Sequence, residues 1–260
     1  MVSITFAQLE AWISLFFWPF CRFSGLLLIA PVLSHSSVPN RVKLGVAAII
    51  SIIIAPLLPA IPDIPLLSWA SFGIVVEQLI IGVAIGFVMQ ITFAAVQAAG
   101  EYIGLQMGLA FATFFSPDSG ANTMILSRFF YVFATLLFVT IDGHLILFEI
   151  VIRSFTWMPI ASFGSFESGV FESIARLGGM VFSSGILLAL PVFGALLIVN
   201  LTLGILNRSA PQLTVFSVGF PMSLTLGMVL LVVLMTELGY YLQNLFQLGF
   251  NFLDTLFVGP

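Results

Sequence analysis

Residues Phe72 to Gly100 read FGIVVEQLIIGVAIGFVMQITFAAVQAAG and carry a single charge, Glu77. An α-helix needs about 20 predominantly apolar residues to cross the hydrocarbon core of a bilayer, and this stretch is longer than that. Five further apolar blocks flank it, at Ala11 to Leu33, Leu44 to Leu58, Phe129 to Ile152, Leu177 to Leu206 and Leu213 to Met235, with a weaker seventh at Leu242 to Val258. The whole chain of 260 residues is 60% hydrophobic with 28 phenylalanines, and its 7% of charged residues falls far below the roughly 25% of soluble domains. The pattern predicts an all-α integral membrane protein with six or so hydrophobic segments, forming one membrane-embedded domain over residues 1–260.

The blocks are punctuated by turn chemistry: Ser34 to Pro39, Pro59 to Pro65, Ser116 to Gly120, Pro159 to Gly169 and Asn207 to Pro211. None is long enough to be a separate soluble domain. Arg41 with Lys43, and Arg208, are read as lying in two loops separated by four apolar blocks, hence on one face. The positive-inside rule makes that face cytoplasmic and puts both termini on the other. The first apolar stretch has no basic segment before it and no small-x-small cleavage site, so it is expected to remain as a structural helix.

Charge and cysteine usage exclude several functions. The formal net charge of −4 comes with one lysine and no basic run, which leaves no electrostatic footprint for nucleic acid. Cys21 stands alone, ruling out an intrachain disulfide and a multi-cysteine metal cage, and it reads as a small buried hydrophobe. Lys43 lies in no phosphate-binding loop, and His35 and His144 share no metal-binding helix motif. No Gly-x-Ser-x-Gly nucleophile elbow occurs. Catalytic, cofactor and metal sites are therefore not expected, and His144 reads as a hydrogen-bonded turn residue.

Arg22, Glu77 and Asp142 lie in the middle of apolar blocks. Each costs roughly 2.5 to 3.5 kcal/mol at a bilayer centre, so each is expected to face protein or water. Snorkelling or a private ion pair would satisfy them, and so would packing of these elements inside a larger assembly. Pro191 and Pro221 each remove a backbone donor and are expected to bend or break their helices, whose freed carbonyls then need partners. Glu172 and Arg176 have the spacing of an ordinary helix-surface pair.

At 100° per residue, Gly82, Gly86, Gln90, Gln97, Gly100, Glu101, Gly104 and Gly108 fall within an arc of about 100°, with Phe93 the one large apolar residue near its centre. Such a face lets another backbone approach along Gly-xxx-Gly steps while amides and the carboxylate bond across the contact. It fits a docking face, a pore lining or ordinary packing within the chain. Directly after it, LAFATFFSPDSGAN (residues 109–122) runs aromatic bulk into a turn. That segment reads as an apolar loop tip, either a movable plug that seals a conduit by excluding water or a re-entrant loop packed permanently in the core.

The run Gln106-Met107-Gly108-Leu109-Ala110-Phe111-Ala112-Thr113-Phe114 with Pro117, then Asp142-Gly143-His144-Leu145, Ala189-Leu190-Pro191, Leu203 to Leu213 and Gly219-Phe220-Pro221, resembles the FliR family of flagellar biosynthetic proteins. The resemblance covers nearly the whole chain, and Asn207-Arg208-Ser209-Ala210-Pro211-Gln212 is its most specific part. It implies a pore-forming subunit of the type III protein export gate in the bacterial inner membrane, at the flagellar basal body. Bent helical hairpins would pack there within a hetero-oligomeric helical assembly, much of it lifted out of the bilayer plane.

The implied partners are FliP-like and FliQ-like gate subunits, FlhA-like and FlhB-like export components, unfolded flagellar substrates and membrane lipid. The resemblance further implies a FliP-like part at about 1–175 and a FliQ-like hairpin part at about 176–260. By the same resemblance Phe111, Phe114, Phe115, Pro117 and Asp118 belong to a pore plug, and Asn207, Arg208, Pro211 and Gln212 to a hairpin tip near the cytoplasmic entrance. Two alternatives stand beside it. One is the homologous subunit of a virulence injectisome. The other is a small-solute transporter using Glu77, Glu101, Asp142 and His144 as coupling groups, a reading that requires inverted repeats where none is evident.

Overall fold

A computed structural model describes residues 5–58, 68–110, 125–160, 169–209 and 218–258, and among these every regular element is helical. The helices are α1 (Phe6–Ile29), α2 (Asn40–Ile54, extended by a 3₁₀ turn at Ala55–Leu57), α3 (Trp69–Gln106), α4 (Ile125–Thr140), α5 (Gly143–Trp157), α6 (Gly169–Ser209) and α7 (Phe220–Val258). Five are long and apolar enough to cross a membrane, or six if α4 and α5 form one broken span. The chain is an all-α integral membrane protein.

Several boundaries differ from the sequence expectation. The fourth apolar block is two helices, parted where Asp142 takes a left-handed conformation at φ 56° and ψ 29°. Aspartate is one of the few non-glycine residues that adopts this region at small cost. The sixth and seventh blocks run together in α7, because Glu237 and its polar neighbours lower hydropathy without lowering helix propensity. Pro221 stands second in α7, where its missing N–H had no intrahelical acceptor to lose. Pro191 lies inside an unbroken α6 of 41 residues, and Pro19 likewise lies inside α1. Arg41 and Lys43 belong to the first turn of α2 and Arg208 to the last turn of α6, rather than to loops.

Helices α3, α6 and α7 contain 38, 41 and 39 residues. At 1.5 Å per residue each is about 57 to 62 Å long, twice the roughly 30 Å of hydrocarbon in a bilayer. Tilt alone does not absorb such an excess, so a substantial part of each lies outside the hydrocarbon core.

The contacts divide the chain into two compact units. The first comprises Met1–Gln90, Ile141–Arg176 and Leu248–Pro260, and the second Ile91–Thr140 and Leu177–Gln247.

In the first unit α1 begins with a capping box, Gln8 N–H donating to Thr5 Oγ1 and Thr5 N–H to Gln8 Oε1. The central contact joins α1 to the first half of α3 through glycines. A Cβ on Gly25 would sit 2.5 Å from the Leu79 carbonyl oxygen, one on Gly86 3.0 Å from Ala30 N, and one on Gly82 would fall on the Arg22 carbonyl oxygen. Arg22 and Leu26 face Gly82 while Leu26 and Ala30 face Gly86, so the contact climbs both helices together and they run parallel. Helix α2 packs on α1. The buried Lys43 extends its ammonium to the Ser34 carbonyl at 2.7 Å and fastens the turn between them.

In the second unit Phe93 is fully buried among the rings of Tyr131, Phe138 and Phe246, at centroid separations of 5.6, 5.4 and 5.2 Å. Glycines again allow close crossings: a Cβ on Gly100 would lie 2.6 Å from Ser127 Cα in α4, and one on Gly185 2.9 Å from the Ala95 carbonyl oxygen. Tyr241 donates its hydroxyl to the Ser184 carbonyl at 2.7 Å, joining α7 to α6.

Because Gly82 meets main chain, Gly82→Ala must push α1 off α3, an overpacking cost of about 1 to 3 kcal/mol. A fall in the melting temperature of the detergent-solubilised chain is expected. Gly194→Ala, in α6 with open space around its Cβ, is expected to leave melting unchanged or slightly raised. Equal melting of the two variants would contradict the close α1–α3 contact.

Candidate functional site

Arg22 is the most constrained polar residue in the first unit. Its side chain is 0% exposed, and a guanidinium withdrawn from water needs a partner for nearly every donor. Nε donates to Gln78 Oε1 of α3 at 2.8 Å, Nη1 to Ser154 Oγ of α5 at 2.7 Å, and Nη2 to the Met158 carbonyl at 3.0 Å. Met158 is the C-cap of α5, so the last bond satisfies a carbonyl near a helix end that lacks intrahelical partners. The Ser154 hydroxyl donates to the Val151 carbonyl at 2.6 Å, which leaves its lone pairs turned to the arginine. The Phe155 ring lies 3.8 Å below the guanidinium carbon, adding a cation–π contact. Glu77 is buried and within electrostatic range of Arg22.

Arg22 is thus satisfied inside the chain. Asp142, the third charge read as mid-block, is exposed at the α4–α5 turn. Sequence reasoning missed Gln78, Ser154, Phe155 and Met158 as partners; the one local signal was Gln78, a polar residue beside Glu77 in an otherwise apolar stretch.

The eight residues of the glycine and polar face do not share one neighbour. Gly82 and Gly86 close on α1, and Gly100 closes on α4. Gln90 is exposed, Gln97 and Glu101 are half-buried, and Gly104 is buried. Gly108 stands just past the end of α3 with φ 80°, a left-handed residue of the kind that terminates helices.

Phe111, Phe114, Phe115, Pro117, Asp118, Pro211 and Gln212 lie outside the described residues, as does the Glu172 side chain. Asn207 is half-buried and Arg208 exposed in the last turn of α6, where a cation complements the helix dipole. Both shoulders of the segment carrying the predicted plug are described. They flank an apolar cavity of about 480 Å³ in the second unit, lined by Met107, Leu109, Ile125, Phe129, Met228 and Val232 among others. Three helices meet at its edge through a polar chain: Ser223 Oγ donates to Asn200 Oδ1 at 2.7 Å, and Asn200 Nδ2 to Gln106 Oε1 at 3.0 Å and to the Gln106 carbonyl at 3.1 Å. Among the described residues no group of three or more His, Cys, Asp or Glu side chains could hold a metal ion.

Comparison with known proteins covers this whole arrangement. A family model described as "Bacterial export proteins, family 1" matches residues 13–249. The chain is 45% identical over 253 residues to flagellar biosynthetic protein FliR of Escherichia coli (strain K12), an alignment covering 97% of this chain and 96% of the relative. The protein of that name from Pectobacterium carotovorum subsp. carotovorum is also 45% identical, with the same coverage. The one from Bacillus subtilis (strain 168) is 28% identical over 88% of this chain and 89% of its own length.

Replacing Arg22 by alanine strips partners from Gln78, Ser154 and Met158 and removes a cation within electrostatic range of Glu77. Removing one member of such a buried set costs about 3 to 5 kcal/mol. Arg22→Ala is therefore expected to melt well below the parent in detergent, with Arg22→Lys between them, because an ammonium lacks the planar fork. Adding Glu77→Gln to Arg22→Ala is expected to recover part of the loss. A double variant no more stable than Arg22→Ala alone would remove Glu77 from the network.

Proposed function

The chain belongs to family 1 of the bacterial export proteins, and from that premise we propose that it is a structural, pore-forming subunit of the flagellar type III export gate, passing unfolded flagellar proteins across the bacterial inner membrane. The observation that carries this reading is the near end-to-end match to proteins named for flagellar biosynthesis, with no large insertion in which another activity would reside. The flagellar names of these relatives favour the flagellar gate over the injectisome.

The physical features agree with a part designed for assembly. Helices twice the thickness of the hydrocarbon core need protein around their outer stretches. Large apolar side chains remain exposed on them, among them Ile198, Leu201 and Ile205 of α6 and Val229, Val232 and Val233 of α7. FliP-like and FliQ-like subunits would cover these faces, with FlhA-like and FlhB-like components alongside. The chain would contribute a FliP-like part at about 1–175 and a FliQ-like hairpin at about 176–260.

In this reading Phe111, Phe114, Phe115, Pro117 and Asp118 plug the resting pore, and bulky apolar side chains there exclude water and ions. Of the glycine and polar face, Gln90, Gln97 and Glu101 offer hydrogen bonds to a neighbouring subunit or to passing backbone. Asn207, Arg208, Pro211 and Gln212 form a hairpin tip at the cytoplasmic entrance. The chain does no chemistry of its own: entry of substrate shifts the plug between closed and open populations, and the driving energy comes from other components.

Affinity purification of the chain tagged at Pro260, extracted in mild detergent from its own cells, tests the assembly. Recovery of one intact complex containing FliP-like and FliQ-like subunits is expected, whereas a free monomer or homodimer would contradict the gate reading. Deleting residues 111–115 is expected to preserve that complex and make the membrane leaky to small ions. Unchanged permeability with the complex intact would end the plug assignment.

A further inference from the structure

The last turn of any α-helix leaves four carbonyls without intrahelical partners, and at membrane depth each must find a donor within the protein. At the end of α3 all four are accounted for. Ile103 O accepts from Met107 N at 3.0 Å, Leu105 O from Gly108 N at 3.0 Å and Gly104 O from Leu109 N at 2.9 Å. All three bonds are local, and the last two follow from the left-handed turn at Gly108. The fourth carbonyl, that of Gln106, accepts from Asn200 Nδ2 at 3.1 Å, a donor 94 residues away in α6.

The same amide nitrogen reaches Gln106 Oε1 at 3.0 Å, and its oxygen accepts from Ser223 at the start of α7. Ser223 and Gly227 are one helical turn apart on one face of α7. Gly227 receives the Met107 side chain so closely that a Cβ there would stand 2.6 Å from Met107 Cγ. The end of α3 is therefore gripped by one polar chain and one apolar contact, both reaching α7.

We propose that Asn200 is a positioning residue: a side-chain cap supplied by α6 that fixes where α3 ends and holds Gln106 and Met107, where the chain leaves α3, against α6 and α7. Its carboxamide is suited to this, with two hydrogens for two acceptors on Gln106 and an oxygen left for Ser223. Without it the Gln106 carbonyl loses its protein donor, and the last turn frays. The capping role stands on geometry alone. Its bearing on export rests on the gate reading, through the plug assigned to the residues that follow.

Hydrogen exchange measured on the full chain within its purified membrane complex tests the cap. In Asn200→Leu, amides of residues 104–110 are expected to exchange at least about five-fold faster. Segments of the α1–α3 contact, residues 22–30 and 79–86, should keep their parent rates. Asn200→Gln retains the carboxamide and is expected to restore rates to within about two-fold of the parent. Ser223→Ala removes only the orienting donor and is expected to give an intermediate increase; it also serves if Asn200→Leu does not accumulate.

Unaltered exchange at residues 104–110 in Asn200→Leu, or in Ser223→Ala where that must serve, would overturn the proposal, as would equal acceleration throughout the chain. Ion permeability of cells carrying Asn200→Leu separates the two layers. Faster local exchange with increased leak supports both the cap and its role in the gate. Faster local exchange with parent permeability supports the cap and counts against the plug.

Discussion

A guanidinium buried among apolar helices must have its donors met by protein, and that requirement organises the first unit. Arg22 draws α1, α3 and the end of α5 to one point, because its three bonded nitrogens find one acceptor on α3 and two at the end of α5. The arrangement holds only at short range. Nε reaches Gln78 at 2.8 Å because Gly25, Gly82 and Gly86 let the α1 and α3 backbones touch one turn further along. Close main-chain packing and buried charge are here two aspects of one contact.

The second unit meets the same requirement with neutral groups. The end of α3 is an interruption of backbone pairing, and its cost is met by an amide from α6 and a hydroxyl from α7. Phe93 and its ring of aromatic neighbours supply the apolar mass on which these crossings rest, and glycines at positions 100, 185 and 227 bring the helices within reach of one another. Polar residues are few in this chain, and those buried at helix junctions bond in directions that the surrounding aliphatic packing does not specify.

Much of this was legible in the sequence. Apolar block length gave the helical membrane class, and the cost of burying charge called for protein or water around Arg22, where the structure has protein. What hydropathy did not contain was the identity of partners: Ser154 and Met158 lie 132 and 136 residues from Arg22, and no local pattern links them. Hydropathy also misplaced boundaries. It divided α7 at Glu237, although a helix is indifferent to polarity along its outer face, and it joined α4 to α5 across Asp142-Gly143-His144, a short interruption between long apolar runs. The glycine arc was visible as a pattern, but an angular projection does not say which neighbour each glycine meets. The residues read as an aromatic plug, and half of those read as a hairpin tip, lie outside the described residues.

The glycine contacts differ in a way that bears on how this sequence can drift. At Gly82 the obstructing atom is a main-chain oxygen of residue 22, which every amino acid possesses, so no exchange at the partner position makes room for a side chain. At Gly227 the obstruction is the flexible end of Met107, and a shorter residue at 107 would open the site. Position 82 is closed to substitution in any sequence that keeps this backbone, whereas positions 107 and 227 form a pair that can trade volume with each other.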